Sequence, residues 1–153
     1  PRYRIAAMAR EVGATIKQVR TQAWSTGYPW TLRYDLDERR YRLISPFMTD
    51  EKPMRLAETP EERFHLPWTP FPGDYPIEIH FPSRDAVKHG IVDIRFDPRG
   101  TFDTHFVVVV DEDAEEWTGR YFTLEARGLS SEAVFYEGEP RDTSDVAEVD
   151  FDS

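Results

Sequence analysis

AREVGATIKQVRTQAWSTGYPWTLRYDLDERRYRLI, residues Ala9–Ile44, decides the fold, because the spacing of its apolar side chains changes once, from helical to extended. Extended back to the start of the chain, Ile5, Met8, Ala9, Val12, Ile16, Val19 and Ala23 recur every three or four residues and make one apolar stripe. Arg4, Arg10, Glu11, Lys17, Gln18 and Arg20 fall off that stripe. The spacing predicts a helix over Tyr3–Thr26, stopped by Gly27 and barred from continuing by Pro29. Beyond Pro29 the period is two. Trp30, Leu32 and Tyr34 alternate with Thr31, Arg33 and Asp35, Asp37–Arg39 turn, and Tyr41, Leu43 and Phe47 resume the alternation as a β-hairpin.

Downstream, Pro46, Pro53, Pro60, Pro67, Pro70 and Pro72 punctuate residues 46–75. That spacing of prolines predicts a long excursion with at most a short strand near Met54–Leu56. Five short strands are then expected, over Ile77–Phe81, Ile91–Phe96, His105–Asp111, Arg120–Ala126 and Glu132–Tyr136, with turns between them. The unbroken run Val107–Val110 reads as a central strand buried on both faces. A helix followed by antiparallel strands is an α+β order. The helix stripe is expected to lie on one sheet, whose other face packs on a second.

The chain has 153 residues, the size of one domain. Hydrophobic residues at 39% and aromatics at 14% are ample for a core. The net charge is −10, which repels phosphate and anionic membrane surfaces. It is unevenly spread: net +4 over residues 1–40, −8 over 41–136 and −6 over 137–153. Residues 1–137 therefore read as the globular domain and 138–153 as an acidic tail, solvated or weakly docked. The absence of cysteine excludes disulfides, thiolate zinc sites and cysteine nucleophiles. Phe106–Val110, as long as any purely apolar run in the chain, is far short of the roughly 20 residues that span a bilayer.

A search for catalytic patterns finds no GxSxG elbow, P-loop, GxGxxG or HExxH. Glu78 and His80 share one strand face and read as solvent-facing rather than as metal ligands. The acidic turn Asp111–Glu116 lacks the alternating spacing and internal glycine of a helix–loop–helix calcium site. Paired carboxylates for glycoside hydrolysis can be drawn on any acidic β protein, so they carry no weight. Neither a catalytic residue, a cofactor nor a metal is expected. Trp68, Phe71 and Tyr75 either tuck the excursion onto the sheet or form a binding surface.

Two stretches carry a resemblance to a known family. In Ala9–Ile44 the amphipathic helix ends in Arg20–Ala23, an Arg-x-x-Ala phrase. Gly27, a Thr31–Leu32 strand and a Tyr41–Leu43 strand follow. In Ile94–Phe102 (IRFDPRGTF) a strand runs into Phe-x-Pro-x-Gly. The chain resembles the soluble part of type IV pilin-like proteins, specifically the general secretion pathway protein H family of minor pseudopilins, which shares its domain with FimT-type pilins. Over about two-thirds of the chain the elements follow the family order. The excursion 46–75 stands as an insertion, and Ala126–Glu137 (ARGLSSEAVFYE) replaces the family's Thr-Gly-Arg-Val ending.

The resemblance implies a type IV pilin-like head: one long N-terminal helix on antiparallel β-sheets in a sandwich-like arrangement. It implies a structural subunit of a type II secretion pseudopilus rather than an enzyme. Its partners would be other pseudopilins and secreted cargo, not nucleic acid. It also implies a membrane helix before Pro1 that anchors the full-length protein in the inner membrane, with this domain in the periplasm. Arg10, Lys17, Arg20, Trp68 and Phe71 are the candidate partner surface. Two alternatives stand beside it: a FimT-like minor pilin that binds DNA during uptake, and an unrelated β-sandwich ligand-binding domain.

Overall fold

The computed structural model describes residues 2–130, 132–141 and 143. Helix α1 spans Arg2–Thr26, and Gly27 closes it. The Gly27 amide donates to the Ala23 carbonyl at 3.0 Å, with Gly27 at φ +76°, a left-handed geometry that glycine adopts without steric cost. The Trp30 indole then donates to Thr26 Oγ1 at 3.0 Å and ties the first strand to the helix end.

Strands β1 (Trp30–Asp35) and β2 (Arg40–Ile44) form the expected hairpin. Four others also lie where the alternation places them, to within a residue or so: β4 (Ile77–Phe81), β6 (Ile91–Phe96), β7 (His105–Val110) and β8 (Tyr121–Ala126). The last strand, β9, runs over Ala133–Glu137. Two further strands were not expected: β3 (Thr69–Pro70) and β5 (Arg84–Val87). Excursion 46–75 is more ordered than its prolines suggest. Phe47 bridges Leu56, Ile44 bridges His65, and Pro60–Glu62 make a 3-10 turn.

All pairings are antiparallel, in two sheets ordered β3-β2-β1-β6 and β5-β4-β7-β8-β9. Strand β7 is central in the second sheet and buried along its whole length, as its unbroken run of valines requires. One arrangement differs from expectation: α1 does not lie on a single sheet backed by another, but contacts β1 and β6 of the first sheet and β8 and β9 of the second. The physical reason is the first sheet's far face, which carries charged Arg33, Arg42 and Asp93 and cannot be buried under a second sheet.

The helix stripe is the spine of the core. Ile5, Met8, Ala9, Val12, Ile16, Val19 and Ala23 are all buried, together with Leu32 and Tyr34 of the first sheet and Val107, Val109 and Leu124 of the second. Truncating Val12 or Ile16 to alanine should therefore cost on the order of 1–4 kcal/mol, from lost burial and the cavity left behind. Thermal melts read this directly, and wild-type melting of both variants would show that the stripe is not core.

Residues beyond the boundary expected at 138 are hydrogen-bonded to the sheet and to one another. Thr123 donates through Oγ1 to the Gly138 carbonyl at 2.8 Å, and Tyr136 Oη both donates to the Arg141 carbonyl and accepts from its amide, each at 2.8 Å. Thr143 is buried against Glu125 and Arg127. Gly138–Arg141 and Thr143 are therefore tied to the folded domain, and Asp142 and residues 144–153 of the acidic segment lie outside the described residues.

Candidate functional site

The face of α1 turned away from the core has its own repeat. Tyr3, Arg10, Lys17 and Trp24 lie seven residues apart, so they share that face, and all four are exposed. Tyr3 is 86% and Trp24 72% exposed, a large apolar area to leave in water at both ends of a cationic stretch. Arg20 is half-buried because its aliphatic stem runs beside Gly100, where a Cβ would meet Arg20 Cγ at 3.0 Å. Sequence reasoning named Arg10, Lys17 and Arg20 but missed Tyr3 and Trp24. The seven-residue spacing through Arg10 and Lys17 was the available signal.

Of the two aromatics assigned to the partner surface, the structure removes one. Phe71 is buried, its ring 5.0 Å from that of Tyr41, because the Phe71 amide is held by the Arg39 carbonyl and turns the side chain inward. Trp68 stays partly exposed and sits with β2. Its ring centroid is 4.2 Å from the Arg40 guanidinium and 4.1 Å from that of Arg42.

These arginines belong to the outward face of the first sheet. Arg33 of β1 stands opposite Arg42 of β2 on one side and Asp93 of β6 on the other. Arg33 grips Asp93 through both Nε and Nη2, at 2.8 and 3.0 Å, and that hydrogen bond raises its pKa. Arg40 pairs with Asp35 at 3.0 Å. Arg42 donates from Nε to the Leu66 carbonyl at 2.8 Å and from Nη1 to His65 Nδ1 at 3.5 Å. Burial first, and then Arg42 and Arg33, lower the pKa of His65, which favours the neutral ring that such an acceptor requires.

The outer side of the second sheet is different in character. On the second sheet's outer side a cavity of about 610 Å³ is lined by His80, Phe106, Glu125, Arg127, Leu129 and Arg141. Arg127 bridges Glu125 and Glu132 there, each at 3.3 Å. Glu78 and His80 contact one another at 2.8 Å. Among the described residues no group of three His, Cys, Asp or Glu side chains is placed to hold a metal ion. The turn Asp111–Glu116 projects its carboxylates outward, and its conformation is held by the Asp113 amide on Asp111 Oδ1 at 3.2 Å.

No protein-family model matches the chain, and no curated protein matches it. Solved structures do. One of the minor pseudopilin EpsH from the type II secretion system of Vibrio cholerae aligns over 84% of this chain and 93% of its own, with a TM-score of 0.53 at 12% identity. A second structure of EpsH from Vibrio cholerae aligns over 88% and 94%, with a TM-score of 0.52 at 11% identity. The fold is pilin-like. One N-terminal helix followed by antiparallel sheets is the arrangement shared, over more than four-fifths of this chain, while few residues are. No helix among the described residues of this head is long and apolar enough to cross a membrane.

Proposed function

We propose that this chain is the head of a minor pseudopilin, a structural subunit of a type II secretion pseudopilus in the general secretion pathway protein H family. The observation that carries the proposal is the likeness to EpsH over more than four-fifths of this chain. The outward face of α1 supports it: a monomeric domain has no use for Tyr3 and Trp24 in water on both sides of Arg10 and Lys17, whereas a helix packed among neighbouring subunits does. On this reading the membrane helix precedes residue 1, the head lies in the periplasm, and the protein acts by contact with other pseudopilins and cargo rather than by catalysis.

The test uses the full-length gene in its own cell. Deleting it should abolish export of type II substrates into the medium. Restoring it with Trp24→Ala plus Lys17→Glu should fail to rescue export, although that variant head melts like wild type. Normal export in the deletion strain, together with lost DNA uptake, would overturn the reading in favour of a FimT-like pilin.

A further inference from the structure

The outward face of the first sheet gathers positive charge on a chain whose net charge is −10. Arg42, Arg33 and Asp93 form one row across β2, β1 and β6. Arg95 stands opposite Thr31 in the next row, and Arg40 opposite Asp35 in the row beyond on the other side. Both carboxylates are already engaged, Asp93 by Arg33 and Asp35 by Arg40. Arg42 and Arg95 have no carboxylate partner among the described residues.

Two features show that this face is not arranged for the stability of the isolated head. Arg33 and Arg42 lie directly opposite across the ladder, where like charges destabilise a sheet. Asp93 neutralises Arg33 but leaves Arg42 without a carboxylate, and the Arg42 pKa is lowered by burial first and then by Arg40 and Arg33. At the same time Arg42 is held in one pose, its Nε on the Leu66 carbonyl and its guanidinium against the Trp68 ring. A guanidinium fixed in advance loses little side-chain freedom when it takes a carboxylate.

We propose that the Arg33–Arg42–Arg95 face, with Trp68 at its edge, docks a carboxylate-rich segment of another protein. Planar guanidiniums match carboxylates in paired hydrogen bonds. Trp68 on one flank and Ile91, 52% exposed, on the other supply apolar ground for side chains between the acids. Nucleic acid fits less well, because its charge continues along its length and would run off this face onto the acidic remainder of the molecule. The inference stands apart from the pseudopilus reading, since it asks only what chemistry this face recognises.

The probe is a labelled peptide with the sequence of Asp111–Trp117, which is rich in carboxylates. It is titrated against the 153-residue protein by fluorescence anisotropy at about 0.1 M salt, where the screening length is about 10 Å. Saturable binding is expected, weakened about tenfold or more by Arg42→Glu plus Arg95→Glu and weakened further by added salt. Arg42→Glu faces Arg33 with an opposite charge, so the variant should fold, and its melting temperature checks that. The proposal falls if the peptide does not bind, if the double variant binds it equally well, or if a short oligothymidine binds the same face more tightly than the peptide.

Discussion

Acidification from pH 6.5 to 4 should remove about 3 kcal/mol of folding stability through one side chain, His105. His105 is wholly buried where the two sheets meet. Its Nε2 lies 2.9 Å from the Tyr34 hydroxyl of the first sheet, and its Nδ1 lies 2.8 Å from the Asp103 carbonyl. A carbonyl only accepts, so Nδ1 carries the proton and Nε2 accepts from Tyr34. A second proton would have to displace the tyrosine hydrogen bond in a dry site. Burial accordingly pulls the His105 pKa down from 6.5 to about 4, against the smaller opposing pull of Asp103. Between those two values the unfolded chain binds a proton that the folded chain refuses. Stability is therefore complete above pH 6.5 and falls as pH drops towards 4. Urea midpoints across this range measure the fall. His105→Gln should start lower at neutral pH but lose its steepest part, which separates this effect from the carboxylates that also titrate. Parallel pH profiles for the two proteins would refute it.

Gly128→Ala should cost more than about 3 kcal/mol, a large part of the roughly 5–15 kcal/mol that holds a domain together. The reason is not backbone freedom but space. A Cβ at residue 128 would sit 1.5 Å from the Phe102 carbonyl oxygen, and that oxygen is main chain, with no flexible end to swing aside. The two segments are tied together there, Phe102 donating its amide to the Gly128 carbonyl at 3.4 Å and Gly128 its own to Thr104 Oγ1 at 2.9 Å. Relieving the clash separates β8 from the loop that leads into β7 and disturbs the Phe96–Phe102 stack, whose centroids are 4.3 Å apart. Soluble expression and a thermal melt decide it. A variant that melts within a few degrees of wild type would show that the loop yields.

The elements with a strong period were legible before the structure. Val107–Val110 could only be an interior strand, and the seven-residue set from Ile5 to Ala23 could only be a buried helix face. Strands without a period were not. Arg84–Val87 alternates nothing, and Thr69–Pro70 contains the residue that argues against a strand, tolerated at the outer edge of the first sheet. Sheet membership was also hidden, because β6 leaves its neighbours in sequence to pair with β1, some 60 residues earlier. The arginine face shares that cause. Arg33 could be read as pointing outward, but only the register of three strands places it between Arg42 and Asp93. The helix cations Arg10, Lys17 and Arg20 need no such register, since they lie close together in sequence.

Arg39 has a consequence for how so small a chain tolerates so long an excursion. It occupies the left-handed region at φ 54°, uncommon for a residue with a side chain, at the tip of the β1–β2 hairpin. From there its guanidinium donates to the carbonyls of Phe71, Pro72, Gly73 and Tyr75, and its own carbonyl receives the Phe71 amide. One side chain thus closes the loop that begins at the hairpin and returns at β4, the task that small exported domains commonly give to a covalent cross-link. A cross-link acts largely by restricting the unfolded chain, whereas this clasp exists only once the chain has folded. It restrains the native loop without limiting the routes to it, and with no cysteine in the sequence it holds equally in reducing and oxidising surroundings.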